Sequence, residues 1–169
     1  MTRGRILLAA VGVLLVAAYA ALMAVESLVL DPLAAVPGAT LGEIHARLAA
    51  NGMDVGRDIA WVICTAAAGV VLAVAAAVVG LWRHLSLSTM AMIFLAIIAA
   101  GAVPAFLDGI HLGMDIADTY RGTGGAHTIW AGVLYVTSLA AVGGIVEVGI
   151  YRLRRSARSR FRKKSADDE

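Results

Sequence analysis

The sequence predicts an all-α fold, an integral membrane four-helix bundle. Three observations carry that prediction. The 169 residues are 60% hydrophobic, with a mean hydropathy of +0.84, well above the roughly half-apolar composition of a soluble domain. The apolar residues are gathered into four runs, Ile6–Leu30, Ile59–Trp82, Ser88–Leu107 and Thr128–Ile150. Each reaches about 20 residues, the length that crosses a hydrocarbon core roughly 30 Å thick. Within lipid the backbone must satisfy its own hydrogen bonds, so such runs are helices. Residues 1–151 form one four-span domain, and residues 152–169 a charged tail that reads as disordered.

The first run follows Arg3 and Arg5. Basic residues before an apolar run also describe a signal peptide, and Ala18-Tyr19-Ala20 resembles a cleavage site. The run is longer than the 7–15 residues of a signal core, which favours a retained helix. Ala9, Val13, Ala17, Ala20 and Ala24 recur at helical spacing, a row that lets a neighbouring backbone approach closely. Glu26 sits near the end of this run, one turn from Asp31, within reach of an interface.

Asp31–Asp58 is expected to be an external loop, with Pro32 and Pro37 ending the first helix. Within it Thr40-Leu41-Gly42-Glu43 reads as a capping box. Leu41, Ile44 and Leu48 fall on one face, and Asn51-Gly52 closes the far end. A short amphipathic helix is therefore expected between the first two spans, with His45 and Arg47 off its apolar row.

Trp61 and Trp82 bracket the second span, and Trp130 and Tyr151 the fourth, as interfacial aromatic belts do. Only Arg83–Leu87 separates the second span from the third, so these two are antiparallel neighbours. Pro104 and Gly101 permit a kink in the third span. Beyond it Asp108, His111, Asp115 and Asp118 follow an i, i+3, i+7, i+10 row, with Ile110, Met114 and Ala117 read as marking the opposite face. The third helix is expected to continue past the membrane, with this polar row on one side, to about Tyr120. Gly122-Thr123-Gly124-Gly125 reads as a turn. In the fourth span Gly132, Gly143, Gly144 and Gly149 offer close-packing positions, and Glu147 is expected to pair with Arg152 or Arg83.

Basic residues set the orientation. Arg3, Arg5, Arg83 and the tail lie on one side, and Arg47, Arg57 and Arg121 on the other. Both termini are thereby assigned to the cytoplasm, and the loops 31–58 and 108–127 to an acidic outer face. Arg152, Arg154, Arg155, Arg158, Arg160, Arg162, Lys163 and Lys164 make the tail a partner for anionic lipid headgroups, worth about 1 kcal/mol per residue at the surface. Nucleic acid is not an expected partner. The Ala-, Val- and Arg-rich composition suits a bacterial plasma membrane.

Function is far less constrained. The single Cys64 precludes an intrachain disulfide. No nucleophile stands beside a His–acid pair, and no haem-like pair of facing histidines is present, so the sequence leans away from an enzyme. The leading expectation is an accessory or scaffold subunit binding other membrane proteins or itself. The alternative is a metal or small-ligand site on the outer face, in which His45, His111, Asp115 and His127 would hold a divalent metal such as zinc. A third is ion or proton transport through the intramembrane acids Glu26 and Glu147.

Overall fold

The computed structural model describes residues 3–120 and 126–167. Among them every regular element is helical, in the order α1 (Arg3–Val25), a π-helical turn (Glu26–Leu30), α2 (Asp31–Ala35), α3 (Leu41–Ala50), α4 (Val55–Trp82), α5 (Leu87–Ala100), α6 (Ala102–Tyr120) and α7 (Ile129–Asp167). Four continuous stretches are long and apolar enough to cross a membrane: Arg3–Ala35, Val55–Trp82, Leu87–Tyr120 and Ile129–Arg154. Helix α1 packs against α4 and α5, and α5 against α7. The expected turn at 122–125 lies outside the described residues, as do the side chains of the basic residues beyond Arg154. Helix α7 runs on through the stretch read from its charge as a disordered tail.

The bundle core follows from small residues on one helix receiving large ones from another. Ala9, Gly12, Val16, Tyr19, Ala20 and Met23 form the buried seam of α1. Only Ala9 and Ala20 belong to the small-residue row read from the sequence. The seam advances by three and four residues, the period that keeps side chains on one helical face. Phe94 of α5 lies directly over Gly12, and Met90 over Gly80 of α4. Such close approach replaces the hydrophobic driving force that lipid does not supply.

The hairpin between α4 and α5 is closed by local chemistry. His84 has a positive φ of 51°, and its N–H and that of Leu85 reach back to the carbonyls of Leu81 and Gly80. This is the Schellman arrangement that ends many helices, here with histidine where glycine is usual. Ser86 then caps α5 by accepting the Thr89 N–H at 3.2 Å. Arg152 Nη2 donates to both Ser86 Oγ and Thr89 Oγ1, at 3.0 and 2.5 Å, tying α7 to this corner. Glu147 consequently lacks its expected partner. Glu147 and Arg152 are five apart and on different faces of α7, and the guanidinium is committed to the hydroxyls. Glu147 lies exposed in a groove with Leu7, Val11 and Tyr151.

The other end of the bundle carries α3. Thr40 caps it by the full capping box, and Ile44 and Leu48 bury their side chains against Ile116 of α6. Gly38 and Gly52 supply the positive φ that the chain needs on either side of α3. The Arg47 guanidinium stacks over the Tyr120 ring, 4.9 Å from its centre. Asp54 caps α4 by accepting the Arg57 N–H at 3.0 Å.

Two sequence expectations need correction. Pro32 does not end the first helix. The preceding turn widens so that the Asp31 N–H bonds the Glu26 carbonyl, and the helix runs on to Ala35. A π-turn absorbs a proline that an unbroken α-helical ladder would not. Nor do the polar residues of α6 share one solvent face. Asp108 is buried alongside Ala105, Leu112 and Ile116, while His111 and Asp118 are exposed. At 100° per residue Asp108 falls only about 40° from Leu112, on the core side of the polar row.

Candidate cation site

The widened turn at Glu26–Leu30 points three polar residues inward. Glu26, Ser27 and Asp31 are 5%, 3% and 6% exposed, and Asp108 of α6, at 2%, lines the same cavity. The cavity holds about 340 Å³, and Phe106 and Tyr135 complete much of its apolar wall. Polar groups in the middle of an apolar bundle need partners, because an unpaired one costs roughly 2–7 kcal/mol.

Two of the carboxylates have partners at the start of α7. Asp31 Oδ1 accepts the His127 backbone N–H at 2.5 Å, and its Oδ2 lies 3.5 Å from His127 Nδ1. Thr128 Oγ1 donates to Glu26 Oε1 at 3.1 Å and accepts the Trp130 N–H at 3.2 Å. These contacts fasten the π-turn to the entry of α7. The interfacial position expected for Glu26 is thus replaced by a buried one.

Asp108 is different. Neither of its carboxylate oxygens has a hydrogen-bond partner, and neither has Ser27 Oγ. The Trp61 indole is the side-chain donor beside Asp108, and Glu26 lies beside Ser27, both outside hydrogen-bond geometry. Asp108 also forms part of a second cavity, about 330 Å³, with Arg57, Asp58, Trp61, His111 and Leu112. The carboxylate therefore stands in the wall between two spaces.

The metal set expected from the sequence is not brought together. His45 lies half-buried on α3, His127 is engaged with Asp31, and His111 and Asp115 lie on α6. No group of three His, Cys, Asp or Glu among the described residues is arranged to hold a metal ion. The transport pair is also divided. Glu26 touches Thr128, and Glu147 lies 19 residues along from Thr128 in the chain of α7, about 28 Å at 1.5 Å per residue.

From the sequence, Glu26 reads as an interfacial group one turn from Asp31 or as a transport partner of Glu147, and Asp108 as part of a polar row beyond the membrane. One signal was available: Glu26-Ser27 and Asp31 interrupt an apolar run within the six residues before Pro32. Compared with known protein families, curated proteins and solved structures, the chain matches none. The chemistry of the site therefore rests on its own geometry. It offers a buried carboxylate and a buried hydroxyl without hydrogen-bond partners, two further carboxylates and an aromatic wall, which together suit a positively charged guest.

Proposed function

We propose that this chain is a multi-pass membrane protein that binds a small cation in the cavity between the π-turn, α6 and the start of α7. Its termini lie in the cytoplasm of a plasma membrane and the cavity in the outer half of the bundle, as the arginine distribution favours. The observation that carries the reading is Asp108: a carboxylate 2% exposed, with both oxygens lacking hydrogen bonds. A buried charge without a partner is penalised by several kcal/mol. A cation entering the cavity recovers that penalty as binding energy, while Glu26 and Asp31 add to the negative field. Thr128 and His127 hold those two acids in place.

The test is thermal unfolding of the purified protein in mild detergent. Inorganic and organic cations are added at constant ionic strength, with Asp108→Asn alongside. At least one cation is expected to raise the wild-type midpoint by several degrees and to leave Asp108→Asn unmoved. The reading fails if no cation separates the two proteins.

A second reading, an accessory subunit that docks on other membrane proteins, is favoured by one face of α7. Gly132, Val136, Ala140, Gly143 and Glu147 recur every three or four residues and are all exposed. A side chain added at Gly132 or Gly143 would meet open space. A small-residue face ending in an unpaired carboxylate suits a partner helix that carries a basic residue. Covalent cross-linking from position 140 in native membranes tests it, and a protein that cross-links only to lipid ends it. The basic tail is assigned to the anionic lipid of the cytoplasmic leaflet.

A further inference from the structure

We infer that the guest of this cavity is a protonated organic amine with an apolar body, its ammonium group seated on Asp108 and Ser27. The inference rests on the cation-binding reading above and adds the class of cation.

A metal ion is a poor match for the groups available. Glu26 and Asp31 already accept hydrogen bonds from Thr128 and His127. That leaves Asp108 and Ser27, among the described residues, as the buried side chains on the cavity wall whose polar atoms lack partners. Calcium takes six to eight oxygen ligands and zinc about four. No trio of ligand side chains among the described residues converges on one centre.

An ammonium group needs less. It carries three N–H donors, enough for both Asp108 oxygens and Ser27 Oγ. These are charge-assisted bonds, about twice as strong as neutral ones. A neutral guest would bring no opposite charge to the carboxylate.

Size points the same way. The cavity of about 340 Å³ is roughly eleven times the 30 Å³ share of one water in the liquid. It lies within the range of small-molecule sites, about 300–1,000 Å³. Most of its wall is apolar, with Phe106, Ile110, Met114 and Tyr135 beside the acids. Aromatic faces attract cations, and the remaining apolar wall receives a hydrocarbon or aryl body. Ser27 belongs to the π-turn, so the irregular turn presents the neutral acceptor while α6 presents the charge.

The experiment is calorimetric titration of the full chain in phosphatidylcholine nanodiscs at pH 7. The probes are 2-phenylethylammonium and hexylammonium, the neutral 2-phenylethanol, and calcium, magnesium and sodium chlorides. Saturable amine binding is expected, with 2-phenylethanol at least about tenfold weaker and Asp108→Asn weakening the amines by about tenfold or more. Phe106→Ala, at a position 54% exposed and outside the buried core, is expected to weaken 2-phenylethylammonium several-fold and hexylammonium less. It keeps the test valid if Asp108→Asn fails to fold. Equal binding of alcohol and amine, or amine binding indifferent to both substitutions, overturns the inference. Asp108-dependent binding of a metal ion with silent amines overturns the amine class and leaves the cation-binding reading standing. Absence of Asp108-dependent binding by any probe overturns both.

Discussion

Tyr19 Oη lies 2.9 Å from Ser138 Oγ, in the buried middle of the bundle. Ser138 in turn donates to the Ile98 carbonyl at 3.0 Å. A serine hydroxyl has one proton, so Tyr19 must be the donor in the first bond. The relay joins α1, α7 and the end of α5, where Gly101 and Pro104 disturb the helical ladder. Replacing Ser138 by Ala strands the tyrosine hydroxyl and removes a partner from Ile98. The expected loss is about 1–3 kcal/mol. Tyr19→Phe removes a single donor and should lose less. Because the two residues share one bond, a double-mutant cycle should show coupling of about 1 kcal/mol. Additive losses in denaturant unfolding would show the bond contributes nothing.

Asp31 and His127 make a second fastening, between the end of the first span and the entry to the fourth. Asp31→Asn keeps an oxygen acceptor for the His127 N–H but removes the charge. Asp31→Ala removes both and takes the carboxylate acceptor from a half-buried amide. The alanine variant is expected to lose about 1–3 kcal/mol, and the asparagine variant clearly less. Hydrogen exchange at the His127 amide checks the cause, since protection should survive in Asp31→Asn and vanish in Asp31→Ala.

The four apolar helices were legible because lipid imposes a length and a composition that few other folds share. The capping box at Thr40 was legible because its two residues are local in sequence. The candidate site was not, for a physical reason. It is built by a turn that changes the helical phase at Glu26 and by packing that buries Asp108 beside Leu112 and Ile116 on α6. Prolines read as helix breakers placed Asp31 in a loop, and a row of polar residues at helical spacing placed Asp108 on the outer polar face. The His/Asp set failed for a related reason. Proximity along α6 put His111 and Asp115 together, whereas a ligand from another helix depends on packing that no spacing encodes.

His84 occupies the left-handed position that ends α4. A side chain there is strained by roughly 1–2 kcal/mol relative to glycine, although glycine loses more chain entropy on folding. The net expectation for His84→Gly is a stabilisation of about 0.5–1 kcal/mol, read from denaturant midpoints. A destabilised variant would mean that the imidazole makes a compensating contact at the bundle end.

Glu43 supplies the pH dependence of α3. The Thr40 backbone N–H and then its hydroxyl donate to the carboxylate, which holds the Glu43 pKa below its ordinary value of 4.5. The folded value is lower than the unfolded one, so the cap stabilises fully above pH 4.5 and is lost as pH falls through the folded value. Protection of the Thr40 and Glu43 amides, taken relative to the intrinsic exchange rate at each pH, should therefore fall on acidification below that point. In Glu43→Gln the amide oxygen still accepts but does not titrate, so the acid-induced step should be absent. A step of equal size in both proteins would assign it to another group.

Gly12 and Gly143 separate packing within the chain from packing against something else. A methyl group at Gly12 would clash with the Phe94 ring, whereas one at Gly143 meets nothing. Gly12→Ala is therefore expected to destabilise the folded chain by about 1–3 kcal/mol through overpacking. Phe94→Leu in the same chain should recover part of that loss, because the clash is with the ring. Gly143→Leu should leave unfolding of the isolated protein unchanged within about 0.5 kcal/mol, and yet block any helix that docks on the exposed α7 face. Unfolding midpoints in detergent and cross-linking yields in native membranes are measured on the same two variants. If Gly143→Leu leaves every cross-link intact, no helix docks through Gly143 and the accessory-subunit reading loses its support.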